Sequence, residues 1–98
     1  ELFSLGLHAP QMHFIAGEAP AHTFECTAKF RYRQPDQAVR VTMDREGCTI
    51  DFLQPQRAVT PGQWAVLYDG EVCLGGGPIG ETRPLKEISL GDQKQSRN

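Results

Sequence analysis

Apolar and polar residues alternate along most of the chain, with a period of two rather than 3.6. From Phe24 to Arg33 the even positions are Phe24, Cys26, Ala28, Phe30 and Tyr32, and the odd ones are Glu25, Thr27, Lys29, Arg31 and Arg33. Successive side chains of a strand point to opposite faces, so this run predicts a strand with one buried and one wet face. The next two runs repeat the pattern. Val39, Val41 and Met43 point inward against Arg40, Thr42 and Asp44, and then Cys48, Ile50 and Phe52 alternate with Thr49 and Asp51. In Gln63–Asp69 both registers are apolar, Trp64, Val66 and Tyr68 against Ala65 and Leu67, as expected of a central strand covered on both faces. Leu2 to His8 and Met12 to Ala16 read as two further short strands, broken at Ala9-Pro10.

The residues between these runs are turn formers. Gln34-Pro35-Asp36-Gln37 carries proline at its first central position, and Arg45-Glu46-Gly47 supplies a glycine for a short hairpin loop. Thr60-Pro61-Gly62-Gln63 has proline then glycine at its centre, the type II signature, because glycine takes φ > 0 without strain. Asp69-Gly70 between two apolar runs predicts a type I′ hairpin. No stretch shows helical period. Six or seven short strands without helices predict an all-β chain, and a small antiparallel β-barrel rather than a sandwich, because closure removes exposed edges. Residues 1–90 read as one domain, and the polar run from Gly91 to Asn98 as a frayed tail.

Composition narrows the function classes. The chain has 98 residues, 39% hydrophobic and 22% charged, enough for one core and too few for a catalytic domain plus a recognition domain. No apolar run approaches the length of a membrane-spanning helix. The chain opens on Glu1-Leu2-Phe3, without an initiator methionine or a signal-peptide pattern, and so reads as a segment of a longer protein. Cys26, Cys48 and Cys73 are odd in number and form no C-x-x-C pair, which fits reduced thiols packed as small hydrophobes rather than disulfides or zinc ligands. Net charge is -2, yet the window from Lys29 to Arg45 holds five cations and two anions. Affinity for a polyanion therefore has to come from that local stretch.

Few motifs carry chemistry. Gly75-Gly76-Gly77-Pro78-Ile79-Gly80 formally satisfies G-x-G-x-x-G, but Pro78 interrupts it and no helix follows, so the glycines are expected to let a strand kink or approach another backbone. His8, His13 and His22 lack metal-ligand spacing, and no hydrolase or Walker motif is present. The domain is expected to hold no metal, no cofactor and no catalytic residue. The basic strand is different. Lys29, Arg31 and Arg33 share one face at steps of about 7 Å, close to the spacing of RNA phosphates, and Tyr32 offers a ring nearby. A plain solvated face would show the same spacing.

The same residues carry a family resemblance. Cys26-Thr-Ala-Lys-Phe-Arg-Tyr-Arg-Gln-Pro-Asp36, then Pro55-Gln-Arg-Ala-Val-Thr-Pro-Gly-Gln63, then Tyr68-Asp-Gly-Glu-Val-Cys-Leu-Gly-Gly-Gly77 resemble, in order and spacing, the C-terminal domain of the tRNA-specific 2-thiouridylases. The resemblance implies a translation-factor-like β-barrel that helps to hold tRNA. In the whole enzyme it implies an N-terminal ATP-pyrophosphatase domain and a small central domain. There ATP activates the wobble uridine, and a persulfide sulfur, delivered by a donor or carrier, makes 2-thiouridine. The family's Ser-Gly-Gly-x-Asp-Ser motif is absent here, and Cys26 and Cys73 lie within barrel motifs, so neither ATP binding nor sulfur relay carries over. The family's tRNA contacts match Arg31, Tyr32 and Gln63, with Lys29 and Arg33 flanking them. A docking module for the neighbouring domains or for a sulfur carrier is the rival reading, and an independent barrel a third.

Overall fold

The computed structural model describes residues 3–30, 36–57 and 59–84, Arg57 through its backbone alone. The expected Gln34-Pro35 turn, the far end of the basic strand and the polar tail lie outside the described residues. Among the described residues eight strands follow one another: β1 (Phe3–Ala9), β2 (His13–Phe14), β3 (Thr23–Lys29), β4 (Gln37–Asp44), β5 (Gly47–Arg57), β6 (Trp64–Asp69), β7 (Val72–Pro78) and β8 (Glu81–Pro84). They form one antiparallel sheet in the order β2-β7-β6-β3-β4-β5-β1-β8. The alternation predicted its inner face. Ala28, Val39, Val41, Cys48, Ile50, Ala65 and Leu67 are buried, joined by Leu7 and Ala9 from β1. Phe30 and Phe52 meet edge to face at 5.3 Å, and Phe14 and Phe24 do so at 6.2 Å.

The sheet curls into a barrel without a closing ladder. Among the described residues no backbone pairing joins the edge strands β2 and β8. The chain itself spans the seam instead. It passes from β1 to β2, at opposite ends of the strand order, across Pro10–Met12, and from β7 to β8 across Ile79-Gly80. The two crossings lie against each other, with Gly80 N donating to His8 O at 2.8 Å. The expectation of a closed barrel is corrected to this extent: the seam is held by corners and a buried Ile79. The glycine run serves it. A Cβ on Gly77 would sit 2.7 Å from Gln11 O, and one on Gly75 would overlap His13 O, so side chains there would push the crossing segment off β7.

Turn glycines take the positive φ their positions require: +118° at Gly47, +94° at Gly62 and +63° at Gly70. Gln63 N donates to Thr60 O at 3.2 Å, closing the expected turn. The last hairpin differs. Asp69 pairs with Val72, so the loop is Gly70-Glu71, and only its first residue has φ > 0. That is the type II′ pattern, which spares Glu71 the strain a type I′ turn would impose. Strand β5 runs on to Arg57 through Pro55, because its ladder with β4 ends at Phe52 and among the described residues no partner on that side needs the missing N–H.

Three free cysteines sit at graded depth: Cys48 buried, Cys26 half-buried and Cys73 exposed, so Cys73 departs from the expected core role. Burial, reinforced by Asp44 and Cys26, pushes the Cys48 thiol up to about 12, and burial with Asp69 pushes Cys26 to about 11. Both protons are bound more tightly in the fold than in the unfolded chain, whose thiols ionise near 9.0. This stability is therefore full below pH 9 and is lost as pH rises toward 11–12. A maleimide at neutral pH is expected to label Cys73 first and Cys48 only on unfolding. Equal rates at Cys48 and Cys73 would show that the β5 register is wrong.

Candidate nucleic-acid interface

Directly paired residues of an antiparallel ladder share a face, so register assigns the outer surface. Strand β3 pairs with β6 as Thr27↔Tyr68, Ala28↔Leu67 and Lys29↔Val66. Ala28 and Leu67 are buried, which puts Thr27, Lys29, Trp64, Val66 and Tyr68 outside. Lys29 leaves β3 beside Val66, toward the end of β6 that begins with Gln63 and Trp64. Three residues of strand separate Val66 from Gln63, about 10 Å. Lys29 Nζ lies 3.6 Å from Asp36 Oδ1, an exposed pair that leaves the ammonium open to a stronger anion.

Gln63 is built into the turn before β6. Its Oε1 accepts from Thr60 N at 2.8 Å and from Thr60 Oγ1 at 3.0 Å, and its backbone O accepts from Ile79 N at 2.6 Å. With that oxygen engaged, the side chain presents Nε2, a donor without a partner among the described residues. A pre-positioned donor suits a phosphate or ribose oxygen or a base acceptor.

One other cation of the basic window is drawn elsewhere. Arg40 donates to Glu25 at 2.9 Å, opposite Asp51 on β5, and Arg83 on β8 bonds Asp51. Glu25, Arg40, Asp51 and Arg83 thus form a ladder of alternating sign across the outer face. Gly6 on β1 belongs to it, since a Cβ there would overlap the Arg83 guanidinium on its way to Asp51. This part of the barrel is neutralised.

Residues 4–79 match a family model described as the aminomethyltransferase β-barrel domain. The chain belongs to that family. Within it, this barrel domain is 52% identical over 87 residues to the tRNA-specific 2-thiouridylase MnmA of Halalkalibacterium halodurans, covering 88% of this chain and 24% of that protein. It is 54% identical over 78 residues to MnmA of Streptococcus sanguinis, covering 80% and 21%. It is 52% identical over 97 residues to MnmA of Xanthomonas campestris pv. campestris, covering 97% and 26%. The barrel domain spans about a quarter of the length of these relatives.

Of the five residues singled out in the sequence, the barrel brings Lys29 and Gln63 to one end of β6. Arg31, Tyr32 and Arg33 lie outside the described residues. One residue escaped the sequence reading. Trp64, expected to be covered on both faces, is 59% exposed. Strand β6 is central in the sheet, but among the described residues its outer face is open at Trp64: its partners on β7 are Pro78 opposite Trp64 and Gly76 opposite the half-buried Val66. Glycine cannot cover a neighbour, and the run Gly75-Gly76-Gly77 was the available signal. The same run does not suit a nucleotide phosphate. It lies in a paired strand, and Gly75 and Gly77 face carbonyl oxygens of His13 and Gln11 rather than free amides.

Proposed function

We propose that this chain is the tRNA-binding C-terminal barrel of a tRNA-specific 2-thiouridylase. In this reading the whole cytoplasmic enzyme uses ATP and a persulfide sulfur to convert the wobble uridine of tRNA to 2-thiouridine. The ATP-pyrophosphatase domain, the central domain and the contact with the sulfur donor belong to the rest of the polypeptide, and the barrel alone is inactive. The reading is carried by the alignment of nearly the whole chain, 97 residues at 52% identity, with a protein of that activity. Lys29, Arg31 and Arg33 supply charge against phosphates, the sequence-independent share of affinity. Gln63 Nε2 adds a positioned donor, and Tyr32 an aromatic ring.

Replacing Arg31 by alanine in the full-length enzyme is expected to weaken tRNA binding by about 1–3 kcal/mol and to flatten its salt dependence by about one phosphate contact. Gln63→Glu keeps the acceptor that Thr60 needs and removes the donor, so affinity falls while the melting temperature holds. Gln63→Ala loses both. A salt titration of tRNA binding alongside thermal melts reads all three variants. Binding of Arg31→Ala indistinguishable from wild type at low and high salt would reduce the stripe to a solvated face and favour the docking reading.

A further inference from the structure

The least expected feature of the outer surface is an unpaired indole. Trp64 is 59% exposed, and among the described residues no aromatic ring or cation packs on it. It borders a shallow groove of about 350 Å³ that it shares with Val66, His13, Ile15, Cys73 and Gly76. The groove is almost wholly apolar, and Gly76 gives it a floor with no side chain.

We propose that Trp64 is a stacking platform for an unpaired nucleobase of the bound RNA, extending the interface beyond the charged stripe. This rests on the tRNA-binding reading and adds a ligand class to it: a base in a loop or single-stranded segment, held by its ring face rather than its edge.

Three observations carry the assignment. First, the indole adjoins Gln63 in sequence and stands on the same face as Lys29, so an aromatic surface, a hydrogen-bond donor and a cation lie within one strand's length. Single-stranded nucleic acid is held by this combination, with stacking tolerant of base identity. Second, the surface is polarised along β6. The opposite end of the β6–β7 hairpin carries Asp69 and Glu71 beside Val72, which repel a polyanion, whereas at the Trp64 end the exposed Asp36 is offset by Lys29 at 3.6 Å. Third, a ring left in water forgoes the burial that the inner face of the same strand achieves at Ala65 and Leu67, and a base stacked on it recovers that loss on binding.

Trp64 is the sole tryptophan of the chain, so its emission reports on this site alone. The 98-residue chain is titrated with an unmodified tRNA transcript and, in parallel, with a fully paired RNA duplex, reading indole emission, its accessibility to acrylamide, and binding by gel shift. Expected are saturable quenching and loss of acrylamide access with tRNA, and neither with the duplex. Trp64→Phe is expected to stay within about threefold of wild-type affinity, and Trp64→Leu to lose about tenfold. The melting temperature and salt slope should not change, because no charge is removed. Wild-type affinity in Trp64→Leu, or tRNA binding with unaltered emission and acrylamide access, overturns the inference. Weakened binding by Arg31→Ala in the same experiment would then leave the tRNA-binding reading standing. Absence of tRNA binding at any concentration tested overturns both. Protection of the indole that grows with protein concentration and without RNA also overturns it, and assigns the groove to a second copy of the chain.

Discussion

Leu67→Ala is expected to lower the free energy of unfolding by about 2–5 kcal/mol, the range for truncating a buried leucine. Leu67 is wholly buried on the inner face of β6, and its partners across the two ladders are Ala28 on β3 and Gly75 on β7. Those neighbours are small. Leu67 therefore fills the space on its row, and neither ladder partner is long enough to swing into the void its removal would leave. A domain of this size holds roughly 5–15 kcal/mol in all, so the change removes a large share of it, a fall in melting temperature on the order of 10–20 °C. Urea unfolding at constant m-value measures it. Val66→Ala, one residue away on the outer face, is the control and should cost less than about 1 kcal/mol. Equal losses at the two positions would mean that β6 turns the other face inward.

That comparison touches a strand whose outer face the sequence described incorrectly. Alternation in β3, β4 and β5 was legible because each pairs an apolar register with a charged one, and the buried set Ala28, Val39, Val41, Cys48 and Ile50 follows from it. In β6 both registers are apolar, and composition alone reads as cover on both faces. Cover is not a property of the strand itself; it depends on what lies outside it. Here the neighbour β7 contributes Gly76 and Pro78, and no further element lies over Trp64 among the described residues. Central in hydrogen bonding and bare on one face are compatible, and the pattern within one strand cannot separate them.

The candidate site was legible to a similar extent, for a related reason. Lys29 and Gln63 stand 34 positions apart in the chain and come to one end of β6 through the register of β3 on β6, a non-local property. Charge spacing alone suggested a stripe; the pairing with Gln63 came from the family resemblance. The engagement of Gln63 Oε1 by Thr60, which restricts the side chain to donating, depends on a rotamer and was not readable from the turn sequence. The seam was hidden too. Ile79-Gly80 looks like any short break between strands, yet it carries the chain from β7 to the opposite edge.

Glycine turns were the most legible feature, and they support a second large effect. Gly47→Ala is expected to destabilise the domain by more than about 3 kcal/mol, the sum of two separable costs. Gly47 has φ +118°, a conformation that L residues adopt only under strain. Its missing side chain also faces backbone: a Cβ would overlap Ala9 O and come within 2.6 Å of Pro10 Cα, where β1 turns into the seam. Backbone cannot swing aside as a flexible side chain can, so the β4–β5 hairpin or the β1–β2 crossing has to shift, and the Ala9↔Cys48 pair beside it with them. Gly62 and Gly70 isolate the first cost. Both have positive φ, +94° and +63°, and neither would place a Cβ within 4 Å of another heavy atom. Alanine at either is expected to cost only the left-handed strain, about 1–2 kcal/mol. Urea denaturation of the three variants should therefore rank Gly47→Ala well below Gly62→Ala and Gly70→Ala, which stay close together. Three equal losses would mean that conformational strain accounts for all of them and that the seam has room for a methyl group beside Ala9, in which case the packing of the two crossings is looser than these contacts require.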